Sequence, residues 1–176
     1  MSRETKIRVV GKKHFGPKID ITDPCYDRDT WCRMNDVSIK EGEYTCMVSE
    51  STCDAVFNGK PHQYKVIESI AISLSGKFPA ETQSTYFGEI GVDAGLAGFF
   101  NNKPDYTDPE WDSFCDRLNQ PKENVWLQDV GFFSTTGHGD GSYTVFADRD
   151  SHNDIVSLVI EFRELDDWID EDDCYF

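Results

Sequence analysis

Apolar and polar residues alternate with a period of two along most of this chain, the spacing of half-buried β-strands. The clearest case is residues 154–162. Ile155, Ser157, Val159 and Glu161 fall on one face there, and Val156, Leu158, Ile160 and Phe162 on the other. Residues 18–22 place Ile19 and Ile21 inward, and residues 6–10, 44–49, 85–92 and 96–100 read as further strands. In residues 64–74 the apolar positions Val66, Ile67, Ile70, Ala71, Ile72 and Leu74 break strict alternation, which predicts a strand with a bulge. Residues 124–133 and 142–147 flank a glycine-rich loop, and residues 148–154 read as a hairpin loop into the last strand.

One segment changes period. Thr107-Asp108-Pro109-Glu110 offers a hydroxyl cap, a proline in the first turn and a glutamate three residues after the threonine, which is a capping box. Trp111, Phe114, Cys115 and Leu118 then form one apolar stripe, and Pro121 ends it. A shorter helical pattern starts near Leu165 and continues through Trp168 and Ile169. With no repeat or low-complexity linker, the chain reads as a single domain over residues 1–176. The fold class is α+β and predominantly β: an antiparallel sandwich or strongly bent sheet with one inserted helix near residues 108–119.

Composition sharpens this. Apolar residues make up only 38%, but twelve Phe, seven Tyr and four Trp supply large buried areas, so a folded protein is expected. The formal net charge is −16, which argues against direct binding to nucleic acid or to an anionic membrane. It leaves basic protein surfaces and divalent cations as partners. The N-terminal strand region, residues 1–18, is basic, with Arg3, Lys6, Arg8, Lys12, Lys13 and Lys18 against Glu4. The C-terminal segment, residues 161–176, carries eight acidic groups against Arg163. The acidity is not confined to that end, because residues 19–160 hold 24 acids against ten bases.

Six cysteines stand at 25, 32, 46, 53, 115 and 174. The two C-x6-C spacings differ from the short knuckles of structural zinc sites, although Cys25, Cys32, Cys46 and Cys53 together could supply four thiolates. No signal-peptide core or membrane-length apolar run is present, which points to a cytoplasmic protein with reduced thiols.

The candidate chemistry sits in three turns, Asp23-Pro24-Cys25-Tyr26, Val92-Asp93-Ala94-Gly95 and Gly139-Asp140-Gly141-Ser142-Tyr143. Aspartate beside glycine or proline holds a carboxylate on a tight turn, where it can bind a ligand or cap backbone amides. As ligand-binding candidates these turns contribute Asp23, Tyr26, Asp93, Gly95, Gly139, Asp140, Gly141, Ser142 and Tyr143. Asp93 and Asp140 could share Mg²⁺ or Ca²⁺, but no metal motif and no cofactor motif is present. The plainer reading is that each aspartate accepts bonds from its own turn. Asp93, His138, Asp140 and Cys25 are the catalytic candidates. His138 would titrate near neutrality on a glycine loop, and Cys25 would need His138 or His14 as its base. Ser134, Thr135, Thr136 and Ser142 add hydroxyls. The loop lacks the phosphate-binding pattern of a P-loop.

Taken in order, these motifs resemble a group of uncharacterised bacterial and phage proteins, a domain of unknown function. That group pairs a V-D-[AS]-G turn with a later G-D-G-[SG]-Y turn and a final hairpin strand closed by Phe, here residues 155–162. Asp23-Pro24-Cys25-Tyr26 is similar to the D-P-C-Y element of its phage-type members. The resemblance covers roughly residues 19–162. It implies a β-rich domain common in mobile elements and hands over no catalytic residue.

The function expected from this reading is a non-enzymatic acidic binding or inhibitor protein, encoded by a phage or mobile element. It would dock on a basic, nucleic-acid-handling protein in the host cytoplasm. Glu164, Asp166, Asp167, Asp170, Glu171, Asp172 and Asp173 would supply the partner-binding charge, and Trp168 the anchor. The alternative is a small-molecule-binding protein or metal-assisted hydrolase with its pocket at the Asp/Gly loops.

Overall fold

The structure, a computed structural model, describes residues 4–79, 84–102, 105–119 and 124–162. Eleven strands and one helix follow one another among them. They are β1 (Glu4–Phe15), β2 (Lys18–Thr22), β3 (Met34–Ser38), β4 (Gly42–Phe57), β5 (Lys60–Ser73), β6 (Thr85–Val92), β7 (Leu96–Phe100), α1 (Asp108–Leu118), β8 (Val125–Gln128), β9 (Gly131–Thr135), β10 (Gly141–Arg149) and β11 (Ile155–Glu161). The strands form two antiparallel sheets. A six-stranded sheet has the order β1-β4-β5-β11-β10-β6, and a five-stranded sheet the order β3-β2-β7-β9-β8. Of the two architectures expected, the sandwich is the one formed.

The core lies between the sheets. Val48, Ile70, Ile72, Val145, Leu158 and Ile160 of the larger sheet meet Ile19, Ile21, Phe99 and Phe132 of the smaller one, all essentially inaccessible to water. Each such side chain contributes roughly 1.5–3 kcal/mol by leaving water. Phe162, just past β11, packs edge-on against Tyr143 with ring centroids 5.3 Å apart.

Alternation places this core, but several boundaries differ from the sequence reading. The strands expected at 6–10 and 44–49 run on into the longer β1 and β4. The long β4–β5 hairpin turns at Asn58 and Gly59, both at positive φ, an Asn-Gly pair that is itself a strong hairpin signal. The expected bulge is present: the β4–β5 register shifts after Ser49, where Ser49 faces Ser69 but Glu50 faces Ile67. Residues 124–133 are two strands, β8 and β9, and not one. β3 was not foreseen, because its sequence Met34-Asn35-Asp36-Val37-Ser38 buries only Val37.

α1 forms where the capping box placed it, with the Thr107 N–H donating to Glu110 Oε2 at 2.8 Å. That bond holds the Glu110 carboxyl below its ordinary range. The helix covers the outward side of the five-stranded sheet. Phe114 packs on Phe133 at 5.8 Å, in a second cluster with Leu96, Phe100 and Trp126. The second helical pattern, near Leu165, lies outside the described residues.

Edge strands are handled unequally. Along β6, Gly91 N–H donates to Cys32 O at 2.9 Å, and a Cβ at Gly91 would stand 2.8 Å from Cys32 Sγ. The segment at Cys32 therefore seals that edge and needs glycine beneath it. At the opposite edge, β1 pairs only with β4 in the sheet.

Candidate functional site

The three aspartate turns come together at one end of the sandwich. Asp23, fully buried at the end of β2, is the link between two of them. Its Oδ1 accepts from Cys25 N–H at 2.8 Å, which closes its own turn. Its Oδ2 accepts from Asp93 N–H at 3.0 Å and Ala94 N–H at 2.8 Å, which fastens the second turn to the first. One carboxylate thus satisfies three backbone donors that would otherwise be unpaired beside the core.

The second turn is tied in the same way to the third. Gly95 O accepts from Thr136 N–H at 3.0 Å. A Cβ on Gly95 would lie 3.7 Å from the Gly139 Cα, so the two turns touch. Gly139 O in turn accepts from Thr136 Oγ1 at 2.6 Å and from the Tyr143 hydroxyl at 2.8 Å. Gly137, at positive φ, passes so close to β5 that a Cβ there would stand 2.5 Å from Ile67 O.

This sorts the candidates. Asp23, Thr136, Ser134 and Tyr143 are buried and work inside the fold, whereas Asp93, His138, Asp140, Gly141 and Ser142 are exposed. Asp93 and Asp140 sit on neighbouring turns, but among the described residues no group of three or more His, Cys, Asp or Glu could hold a metal ion. Tyr26 is half-buried beside Cys32, and burial followed by its bond to Cys32 pushes its phenol above the ordinary range. Cys25 is half-buried and packs against the cluster beneath α1. The base proposed for it, His14, lies at 3.1 Å from Glu41.

The four cysteines of the zinc reading do not gather. Cys46 points into the core, where burial raises its thiol to about 12. Cys53 stands on the far half of the β4–β5 hairpin, opposite Tyr64. Two open cavities, of about 700 Å³ against α1 and about 520 Å³ beside Ser73 and Ser157, are lined by no residue of the three turns.

Sequence reasoning missed the charged lock under residues 23–36. Asp20 lies on β2 opposite Phe100, on the outward side of the five-stranded sheet, and is completely buried. Arg33 Nη2 stands 3.2 Å from its Oδ2, and both side chains are inaccessible to water. Arg33 also donates to Asn35 Oδ1 at 2.6 Å and to Tyr26 O at 2.9 Å. Burial lowers the Arg33 pKa, and Asp20 is the largest influence opposing that shift. Arg28 completes the group, reaching Asp20 at 3.2 Å and Asp36 at 2.5 Å, while its N–H donates to Asp105 at 2.7 Å. The only sequence signal was Asp20 between two isoleucines, which alternation assigns to solvent.

The lock holds up an exposed surface. Trp31, on the loop between Asp23 and Arg33, is 93% exposed, and Trp111 on α1 is 39% exposed. Asp27 and Asp29 on the same loop, Asp36 on β3, and Asp105, Asp108 and Asp112 about the start of α1 are exposed as well. The acids expected to bind a partner, Glu164 to Asp173, and Trp168 among them lie outside the described residues.

Comparison of the chain with protein-family models, with curated proteins and with solved structures found no match in any of the three. Among the described residues, no helix is long and apolar enough to cross a membrane.

Proposed function

We propose that the protein is a non-enzymatic binding protein that docks an acidic, tryptophan-centred face on a basic protein surface. The observation that carries this reading is Trp31, 93% exposed on a loop pinned from beneath by the buried Asp20–Arg33 pair. A large aromatic left in water on a pinned loop adds nothing to the fold, but its loop needs little reordering when a partner covers it. The surrounding aspartates set the sign of that partner and speed encounter with it. A nucleic-acid-handling host protein is the finer form of the proposal, with the gene carried by a phage or mobile element, and the acids Glu164 to Asp173 would add to the attraction of a basic partner.

The test is capture of a partner by wild-type protein and by Trp31→Ala at low and raised salt. The expected result is a stoichiometric partner lost in the variant and weakened by salt. Equal retention by both proteins, or binding indifferent to salt, overturns the proposal.

A second reading is favoured by the convergence of the three turns. Asp93, His138 and Asp140 would face a small-molecule or metal-assisted site at that end. It requires Asp93→Asn and Asp140→Asn to abolish binding or turnover in a folded protein, and unchanged activity in both sinks it.

A further inference from the structure

The six-stranded sheet has two edges, and they differ in what meets them. β6 is closed by the Cys32 segment, whereas no described strand pairs with the outer side of β1. Leu127 of the smaller sheet packs against β1 at Gly11, where a Cβ would stand 2.6 Å from its Cδ2. Beyond a bulge at Val10, which the register skips, residues 4–9 pair with β4 without interruption, and all of them are exposed. A run of this length extends about 20 Å. In an antiparallel pair every second residue turns its N–H and C=O toward the partner strand, so half of this run aims those groups at solvent.

The side chains of the run are sorted by face. Glu4, Lys6 and Arg8 share a side with Thr52, Glu50 and Val48, while Thr5, Ile7 and Val9 share the other with Ser51, Ser49 and Met47. On the first side Glu50 is held by Arg8 at 3.4 Å and by Lys65 at 3.3 Å, and Lys6 stands 3.2 Å from Glu4. Three cations thus meet two carboxylates, in a chain whose net charge is −16. On the second side Ile7 and Val9 are 51% and 59% exposed. Cations alone would guard the edge against aggregation. The exposed Ile7 and Val9 beside them act in the opposite sense, and leave the edge selective for one kind of strand.

We propose that the β1 edge is a docking site for an extended segment of a partner protein in which acidic and apolar residues alternate. Such a segment adds a strand to the sheet through its backbone. Its acids lie against Lys6 and Arg8 and its apolar residues against Ile7 and Val9, because directly opposed residues share a face. A second copy of this edge fits poorly. Pairing two β1 strands with their faces matched sets Lys6 and Arg8 against each other, and with their faces exchanged sets them against Ile7 and Val9. The site is separate from Trp31 and takes a segment of opposite charge to the surface docked there, so the two readings are tested independently.

The test is amide hydrogen exchange of the full chain, read by NMR, with a short blocked peptide that alternates glutamate and valine. At about ten times its dissociation constant the peptide should slow exchange about tenfold at alternate amides within residues 4–9. The same peptide with lysine in place of glutamate should leave them unprotected. Lys6→Glu should weaken binding of the first peptide roughly threefold or more, with unchanged exchange in β5 and β11 showing that the variant is folded. Absence of protection at millimolar peptide overturns the proposal, as does equal protection by the lysine peptide or equal binding by the variant. Protection already present in the free chain also overturns it, because the edge is then filled without a partner.

Discussion

The two outward faces of this sandwich are finished in different ways. On the five-stranded sheet the cover is part of the described fold. α1 lays Phe114 on Phe133, and residues 23–36 bury Asp20 under Arg33. On the six-stranded sheet Met47, Ala71 and Val159 form a dry apolar row, flanked by Ser49, Ser69 and Glu161 on one side and by Thr45, Ser73 and Ser157 on the other. The first face uses its layer to hold acids and Trp31 up to solvent. The second leaves Val9 and Tyr86 exposed at the two ends of its apolar row. A buried ion pair is costly to break and therefore fixes a loop, whereas an apolar row is tolerant in register.

The largest effect that could break this contrast is at the lock. Arg33→Met takes the buried guanidinium from Asp20, leaving it Arg28 and the Asp36 N–H, and strands Tyr26 O as well, so unfolding in urea should report a loss of about 3–5 kcal/mol. A loss of less than a third of that would mean the loop is not pinned as described. Next comes Asp23→Ala, which strands the Cys25, Asp93 and Ala94 amides. A loss of about 3 kcal/mol is expected, whereas Asp93→Asn and Asp140→Asn, being exposed, should each stay within about 0.5 kcal/mol. If all three behaved alike, the division into structural and free carboxylates would fail.

The smallest effect is at the hairpin between β10 and β11. Lys40, bonding at 2.8 Å, together with the Asp154 and His152 amides, holds the Asp150 carboxyl at about 2. Because the folded value lies below the ordinary one of 3.8, this contribution is complete at higher pH and declines as pH falls from about 3.8 toward 2. Asp150→Asn should flatten the acid limb of a stability profile over that window. An unchanged limb would show that the exposed pair contributes nothing measurable.

Much of this was legible in the residues. Alternation in residues 154–162 specifies β11 and its buried side, and the Thr107–Glu110 box with its apolar stripe specifies α1. The ordered aspartate turns were also visible, but not their division of labour. Asp23 and Asp93 both stand beside turn-makers in apolar surroundings, and only the meeting of two distant loops makes one a clamp and leaves the other in water. The lock was hidden for a related reason. Asp20 has the position of a solvent-facing strand residue, and its burial depends on Arg33 folding over it from thirteen residues away.

Local physics thus determined the elements, since strand period, capping and turn chemistry act over a few residues, and it determined the strong negative charge. Tertiary structure decided the order of strands in each sheet, which carboxylates are buried, and the alignment of Val9 with Met47, Ala71 and Val159 into one row. Those properties depend on pairing between residues far apart in the chain. Their free energy exists only once loop closure has brought both partners together.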